Sequence, residues 1–373
     1  MKEKAVNELI NKQSLENFDS CLQLINGIEF KGYSFGFRKS VAGEVVFNTA
    51  MSGYPESLTD PSYKGQILVL TYPLIGNYGV PPMIRENNLL KYFESDEIHI
   101  SGLIVSEYSY EASHWNAWGS LSSWLVENRV PAIWGIDTRA LTKILRDKGS
   151  MQGKIEFGEQ TIDFADNSNK NFVEEISCKK PITYGKGKYR IVLIDCGVKN
   201  NIIRKLLEND TTVIRVPWDY DFLKLEYDGL FISNGPGDPK NCKPTIKNIS
   251  KALENDTPIF GICLGNQLLS LAAGGDTYKL KYGHRSHNQP ILLNGTNKCF
   301  VSSQNHGYAT NADSLGEEWE QLFININDNT NEGIKHKTKP FFSSQFHPEA
   351  SSGPTDTDFL FERFIELIMK YKT

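Results

Sequence analysis

The sequence predicts an α/β protein in two parts: a mixed α/β N-terminal domain followed by an open, mostly parallel α/β domain. Three observations carry this. Short apolar runs in the second half alternate with helical patterns, the signature of a parallel sheet covered on both faces. The first half mixes strand-like runs, turns and two helical segments without that alternation. Between them lies a polar stretch rich in Asn, Asp, Glu and Lys, closed by Pro181 and Gly185-Lys186-Gly187-Lys188, which reads as a solvated linker. The expected division is an extension at residues 1–20, an N-terminal domain at 21–152, a linker region at 153–189 and the second domain at 190–373.

Taken in order, the extension mixes Lys with acids and sets Val6, Leu9 and Ile10 at helical spacing. It has no apolar core of the kind a signal peptide carries. Residues 22–25, the Asn26-Gly27 pair and residues 28–33 read as a hairpin. Runs at 44–49, 66–71 and 98–107 read as strands. Residues 121–127 and 139–148 read as helices, the second stopped by Gly149. In the second half, strands at 191–195, 212–216, 229–233 and 258–262 interleave with helices at 198–207, within 245–254, and at 264–273. Runs at 289–293, 300–303, 322–326 and 340–346 have no helices between them and read as added antiparallel strands. Residues 358–369 close the chain as an amphipathic helix.

With 39% hydrophobic residues and a net charge of −5 over 373 residues, the chain can build ordinary cores. It offers no electrostatic reason to expect a nucleic acid or a membrane surface as partner. No run approaches the 18 or so apolar residues of a spanning helix. Cys21, Cys178, Cys196, Cys242, Cys263 and Cys299 form no C-x-x-C pair. Their spread matches neither a disulfide framework nor a zinc site, so no metal site is expected and a cytoplasmic, reducing location is the simplest. No phosphate-binding G-x-x-x-x-G-K-[ST] loop occurs, so the chain shows no sign of handling ATP.

The sharpest chemical feature is Gly261-Ile262-Cys263-Leu264-Gly265, between an apolar strand and an apolar helix. This is the G-x-nucleophile-x-G elbow with Cys as the nucleophile. Glycines flank it because side chains there would clash in the sharp turn, and the dipole of the following helix favours an anion at its start. A buried structural Cys is the bland alternative, and the strand-turn-helix setting weighs against it. A thiolate needs a base. In Gln345-Phe346-His347-Pro348-Glu349, residues two apart on an extended chain share a face, so Glu349 can orient and charge the His347 imidazole. His306 is the main competitor; His284, His287 and His336 also lie in this half, and His99 and His114 in the other. Acyl transfer also needs an oxyanion hole. The Leu264 N–H, just after the nucleophile, is one expected donor. The loop Asn234-Gly235-Pro236-Gly237-Asp238-Pro239 reads equally well as a close backbone approach to a ligand or as a tight turn.

Together the elbow, the 234–239 loop and His347-Pro348-Glu349 resemble the class I, or triad, glutamine amidotransferases over roughly residues 190–373. The resemblance implies that Cys263 attacks the side-chain amide of L-glutamine, that His347 moves the protons, and that Glu349 supports His347. The N-terminal half narrows it. Gly43 to Tyr54, Leu58-Thr59-Asp60-Pro61-Ser62-Tyr63, the run from Leu70 to Gly79, the Ile136 to Thr142 run and the Asp195 to Ile202 run are similar to the small chains of carbamoyl phosphate synthetases, from about residue 22 to the end. That resemblance implies glutamine contacts at Ser62, Gly235, Gly237, Leu264, Gln267, Asn305, Gly307 and Tyr308, with the pocket at the interface of the two domains. It implies a heterodimer with a large subunit that binds ATP and magnesium, no cofactor on this chain, and ammonia channelled to that partner for carbamoyl phosphate synthesis. Arginine and pyrimidine synthesis both stay open as destinations.

Three departures stand out. The elbow helix reads Cys263-Leu264-Gly265-Asn266-Gln267 where the family pattern has His in place of Asn266. The following loop reads His284-Arg285-Ser286-His287-Asn288-Gln289-Pro290 in place of a His-His-Gly-Gly run. The N-terminal extension is also long. Two rivals remain: a synthetase with another ammonia acceptor, of anthranilate or GMP type, against which the N-terminal motifs speak, and a catalytically silent partner subunit, against which Cys263, His347 and Glu349 speak.

Overall fold

A computed structural model of the protein describes residues 18–158, 161–167 and 170–372. The helical spacing noted at Val6, Leu9 and Ile10 lies outside the described residues. The chain divides into two compact units that interleave in sequence. One comprises residues up to 47, 66–80 and 101–166; the other comprises 48–65, 81–100 and 167–373.

In the first unit, seven strands close into a barrel. Around it run Ser20–Leu24, Glu29–Ser34, Ala132–Trp134, Gly102–Val105, Gln66–Leu70, Val41–Asn48 and Met151–Phe157, which pairs back with the first. Pairing is antiparallel at the hairpin and parallel between Gln66–Leu70, Gly102–Val105 and Ala132–Trp134. The hairpin forms where expected, with Gly27 at φ 84° in the turn. Leu22, Val45, Ile67, Ile104, Ile133 and Ile155 fill the interior, and Leu141 and Leu145 add to it from the helix Thr138–Lys148. That helix starts where the Asp137 carboxylate accepts the Ala140 N–H at 2.8 Å and stops at Gly149, φ 98°. The strand expected over 98–107 is shorter, Gly102–Val105.

The second unit is built on a ten-stranded sheet. Five parallel strands lead it in the order Thr211–Pro217, Tyr189–Asp195, Gly229–Ile232, Ile259–Ile262 and Phe341–Ser344. Beyond Phe341–Ser344 the pairing turns antiparallel through Asn331–His336, Trp319–Asn325, Asp276–Leu293 and Cys299–Asn311. Alternate residues of the parallel strands face opposite layers. Ile191 and Leu193 pack with the helices Asn200–Leu207 and Phe359–Tyr371; Val192 and Ile194 pack with Lys243–Ala252 and Leu264–Ala272. The rings of Phe231, Phe260 and Phe364 meet under the last helix at centroid distances of 5.1–5.9 Å.

Two expectations need correction. The polar stretch 153–189 is not a free linker: it supplies the end of the barrel strand Met151–Phe157, the helix Phe172–Ile176 and the edge strand Ile182–Gly185. Its alternating Gly153, Ile155 and Phe157 are buried while their neighbours face out, a pattern its overall polarity hides. The segment carrying Ser62, assigned from sequence to the N-terminal domain, packs within the second unit.

Candidate active site

The two glycines of the elbow follow from sterics. Cys263 itself sits at φ 55°, ψ −103°, a strained conformation for a residue with a Cβ. Its N–H donates to the Ser344 carbonyl at 2.8 Å, which locks the turn to the neighbouring strand. A Cβ on Gly265 would lie 2.2 Å from the Ile232 carbonyl oxygen, and one on Gly261 would lie 2.6 Å from the Gly265 oxygen. Only glycine lets helix and strand approach this closely. The thiol is buried and its Sγ points to the Asn305 carbonyl at 3.7 Å. Leu264 opens the helix, so its N–H has no intrahelical acceptor.

His347 and Glu349 meet not along an extended strand, as the spacing suggests, but across a turn closed by the Ala350 N–H on the His347 carbonyl at 3.1 Å. His347 Nδ1 donates to Glu349 Oε1 at 2.6 Å, and both side chains are buried. The other nitrogen, Nε2, makes no conventional hydrogen bond. Cys263 lies near enough to act on the ring by charge and by a weak hydrogen bond. Burial opposes a charged imidazole here, but Glu349 and then Cys263 outweigh it and push His347 up. The Glu349 carboxyl resists burial in turn through Lys199 and His347, which hold it well below the usual carboxylate range.

Lys199, to which no role was given from sequence, completes this charge system. Its Nζ donates to Glu349 Oε1 at 3.0 Å and to the Ala350 carbonyl at 2.8 Å, and lies 3.9 Å from Glu94 Oε2. Arg204 pairs with Glu94 at 3.1 Å. Asn201 Nδ2 donates to the Glu349 carbonyl. Lys199 is aimed by the strand end before it: the Asp195 carboxylate accepts the N–H groups of Gly197 and Val198 at 3.0 Å and is itself paired to Arg215. The available signal was positional, since Lys199 follows the carboxyl end of a parallel strand, the binding side of such sheets.

The structure brings most of the expected glutamine contacts together. Asn234 ties two of the loops, its Nδ2 donating to Ser62 Oγ at 2.9 Å and its Oδ1 accepting the Lys199 N–H at 3.1 Å. Asp60 accepts the Ser62 N–H and Asn305 Nδ2, each at 2.9 Å. A Cβ on Gly235 would fall 2.0 Å from the Cys196 oxygen and 2.8 Å from Leu264, so the 234–239 loop abuts the start of the elbow helix. Gln267 Nε2 donates to the Tyr308 carbonyl at 2.9 Å, and Gly307 lies in the same strand. A Cβ on Gly237, at φ 86°, would lie 3.6 Å from the Phe172 ring. Asp60, Lys199, Asn305 and His347 line one small polar cavity. Because Ser62 packs within the second unit, this cluster belongs to that unit.

The competing histidines are otherwise engaged. His306 bonds the Tyr308 carbonyl through Nδ1 and Gln304 through Nε2, and burial keeps its ring neutral. His287 is held down, to about 4, by burial and by the charges of Lys199 and His347. Asn266, the departure in the elbow helix, is fully buried. It accepts from Ser343 Oγ at 2.7 Å and donates to Gln345 Oε1 at 3.0 Å, so a polar residue at this place is fully satisfied.

Comparison with known proteins adds the family. Residues 192–367 match the model for glutamine amidotransferase class-I, and residues 22–155 match that for the carbamoyl-phosphate synthase small chain, CPSase domain. The carbamoyl phosphate synthase arginine-specific small chain of Saccharomyces cerevisiae is 50% identical over 366 residues, covering 94% of this chain and 89% of that one. This chain belongs to the carbamoyl-phosphate synthase small-chain family. Its family region also recurs inside much longer proteins. The mitochondrial carbamoyl-phosphate synthase [ammonia] of Homo sapiens is 53% identical over 355 residues, and the multifunctional protein CAD of Squalus acanthias is 52% identical over 354. The chain spans 24% and 16% of the lengths of those two relatives. Among the described residues of this small-chain homologue, no helix is long and apolar enough to cross a membrane, and no disulfide joins its six cysteines.

Proposed function

We propose that this chain hydrolyses L-glutamine and passes the ammonia to a large, ATP-dependent subunit that makes carbamoyl phosphate. The carrying observation is the strained Cys263 elbow beside a His347–Glu349 pair braced by Lys199. In this reading His347 Nε2 already holds the proton of the pair when Sγ attacks the amide carbon. The Leu264 N–H and the Gly235 loop take the developing oxyanion. His347 then gives that proton to the nitrogen as the C–N bond breaks, releasing ammonia and leaving a thioester. Water attacks next, giving a proton to His347; the C–S bond breaks, glutamate leaves and the charged pair is restored. Ser62, Gly237, Gln267, Asn305, Gly307 and Tyr308 hold the substrate. ATP, magnesium and bicarbonate belong to the partner, and the unpaired cysteines suit a reducing cytoplasm.

The test is Cys263→Ser in the assembled complex. Glutamine-dependent synthesis is expected to vanish while added ammonia still supports it; equal loss with both nitrogen sources sinks the assignment. A second reading, a catalytically silent subunit, has one observation in its favour: the human relative is named for ammonia. It predicts that no glutamyl thioester can be trapped on Cys263, with or without the partner.

A further inference from the structure

Beside the active-site cavity, which Gln304 also lines, three strands of the second unit converge four electron-pair donors on one buried point. His284 and His306 are cross-strand partners on Asp276–Leu293 and Cys299–Asn311. Gln304 shares a face with His306, two residues along. Glu332 joins them from Asn331–His336. One atom each of His284, His306 and Glu332 lies within 4.8 Å of the others, and all three residues are buried.

The hydrogen bonds fix which atoms point inward. The outer nitrogen of His284, Nε2, lies 2.8 Å from the Asp328 carboxylate, and the outer nitrogen of His306, Nδ1, lies 2.8 Å from the Tyr308 carbonyl. Both partners only accept, so each outer nitrogen carries hydrogen; the inner nitrogen of His306 is left with a lone pair, while burial is outweighed by Asp328 and Glu332, which favour a second proton on His284, at its inner nitrogen. Those inner nitrogens face Gln304 Oε1, at 3.0 Å from His284 Nδ1 and 3.1 Å from His306 Nε2. The Gln304 amide cannot simply be turned around. Its Nε2 donates to Ser302 Oγ at 3.1 Å, and Ser302 has already spent its hydrogen on the Gln289 carbonyl at 3.0 Å. Glu332 Oε1 lies 3.4 Å from His284 Nδ1, and its Oε2 has no hydrogen bond although the side chain is wholly buried. Asn325 Nδ2 also reaches in, 3.0 Å from Glu332 Oε1 and at a long 3.5 Å from His284 Nδ1. Its amide orientation is set by the Asn327 N–H on Oδ1 at 2.9 Å.

A proton on the inner nitrogen of His284, favoured by Asp328 and Glu332, meets part of this pattern. A proton on His284 alone leaves the His306 lone pair against the Gln304 oxygen. A second proton makes two buried imidazoliums with ring centroids 5.0 Å apart that share the single buried carboxylate of Glu332. A divalent ion meets the whole pattern. Two imidazole nitrogens, a carboxylate and an amide oxygen make a donor set that zinc accepts in tetrahedral geometry. Ligand atoms about 3.4 Å apart are needed for that at ordinary Zn–N and Zn–O lengths, a closing of the present spread that side-chain torsions supply. The outer shell is also of the kind metal-bound histidines use, one ring held by a carboxylate and the other by a backbone carbonyl. We propose that His284 Nδ1, His306 Nε2, Glu332 and Gln304 Oε1 form a structural site for a zinc-class divalent ion, stapling three antiparallel strands together.

The experiment uses the full chain, stripped with chelator and dialysed against Zn²⁺ or Co²⁺. One ion per chain is expected, with a tetrahedral Co²⁺ spectrum and a raised melting temperature. Cys263→Ser should bind equally, which separates this site from the thiol. Glu332→Gln and His306→Asn should weaken binding more than about 100-fold, and the half-exposed outer-shell change Asp328→Asn about 10-fold, the last without disturbing the buried packing. Three results overturn the proposal: no saturable ion in the wild type, binding lost in Cys263→Ser, or wild-type affinity in Asp328→Asn together with Glu332→Gln.

Discussion

Lys199→Met tests whether the buried cation, and not only the His347–Glu349 pair, keeps the site charged. Lys199 is 5% exposed, and the Glu349 carboxylate it neutralises is buried at 1%, so water screens little of the interaction. The substitution removes the bonds at 3.0 Å and 2.8 Å and leaves Glu94 with Arg204 alone. Removing one partner of a buried ion pair costs about 3–5 kcal/mol. Because Glu349 keeps His347 and Glu94 keeps Arg204, the lower end applies, roughly 3 kcal/mol, or a melting point lower by about 6–12 °C for a unit of this size. Burial then drives Glu349 toward its protonated form, which cannot support a charged His347. Glutamate release should fall about 10²–10³-fold, mostly in kcat, and Lys199→Arg should recover part of both losses by restoring the charge. Differential scanning calorimetry and a glutaminase assay read the two effects. A Lys199→Met protein that melts and hydrolyses glutamine like the wild type would refute the reasoning.

The pair itself gives a pH signature. His347 is pushed up to about 10, so its contribution to stability is complete below its ordinary 6.5 and is lost as pH rises through about 10. Glu349 is held down to about 2, so its contribution is present above its ordinary 4.5 and is lost as pH falls through about 2. Denaturation midpoints of wild type and Glu349→Gln should therefore differ most between about pH 4.5 and 6.5, and a difference flat from pH 3 to 10 counts against the pairing. Gly265→Ala puts a methyl 2.2 Å from the Ile232 oxygen; the strain should cost about 1–3 kcal/mol and displace the thiol, so normal alkylation of Cys263 in a normally stable variant contradicts the steric account. Phe364→Ala empties a fully buried place among Phe231 and Phe260 and should cost about 3–5 kcal/mol in urea titrations, with the glutaminase KM unchanged.

Much of this protein is written in local pattern. The alternation of apolar runs and helical periods sets the parallel sheet, because each buried strand needs a helix on either face. Glycines at 261 and 265 announce an elbow because no other residue fits the turn, and the two-residue step from His347 to Glu349 keeps the pair within reach, although a turn beyond the strand end brings them together and not the period of a strand. These depend only on nearest neighbours along the chain. The closed barrel, the role of Lys199 and the place of Ser62 do not. Lys199 and Glu349 are 150 residues apart, and a lone buried lysine has no sequence signature until its carboxylates arrive. The strands around 284 and 304 were only partly legible, since buried His, Gln and Ser look like a loop until cross-strand hydrogen bonds satisfy them. Sequence alone therefore determined the glycine-flanked elbow of Cys263, the closeness of His347 and Glu349, and the sheet that carries them. Tertiary structure decided the charges that tune them and the buried donors of His284, His306 and Glu332, because burial and long-range pairing exist only once distant strands have met.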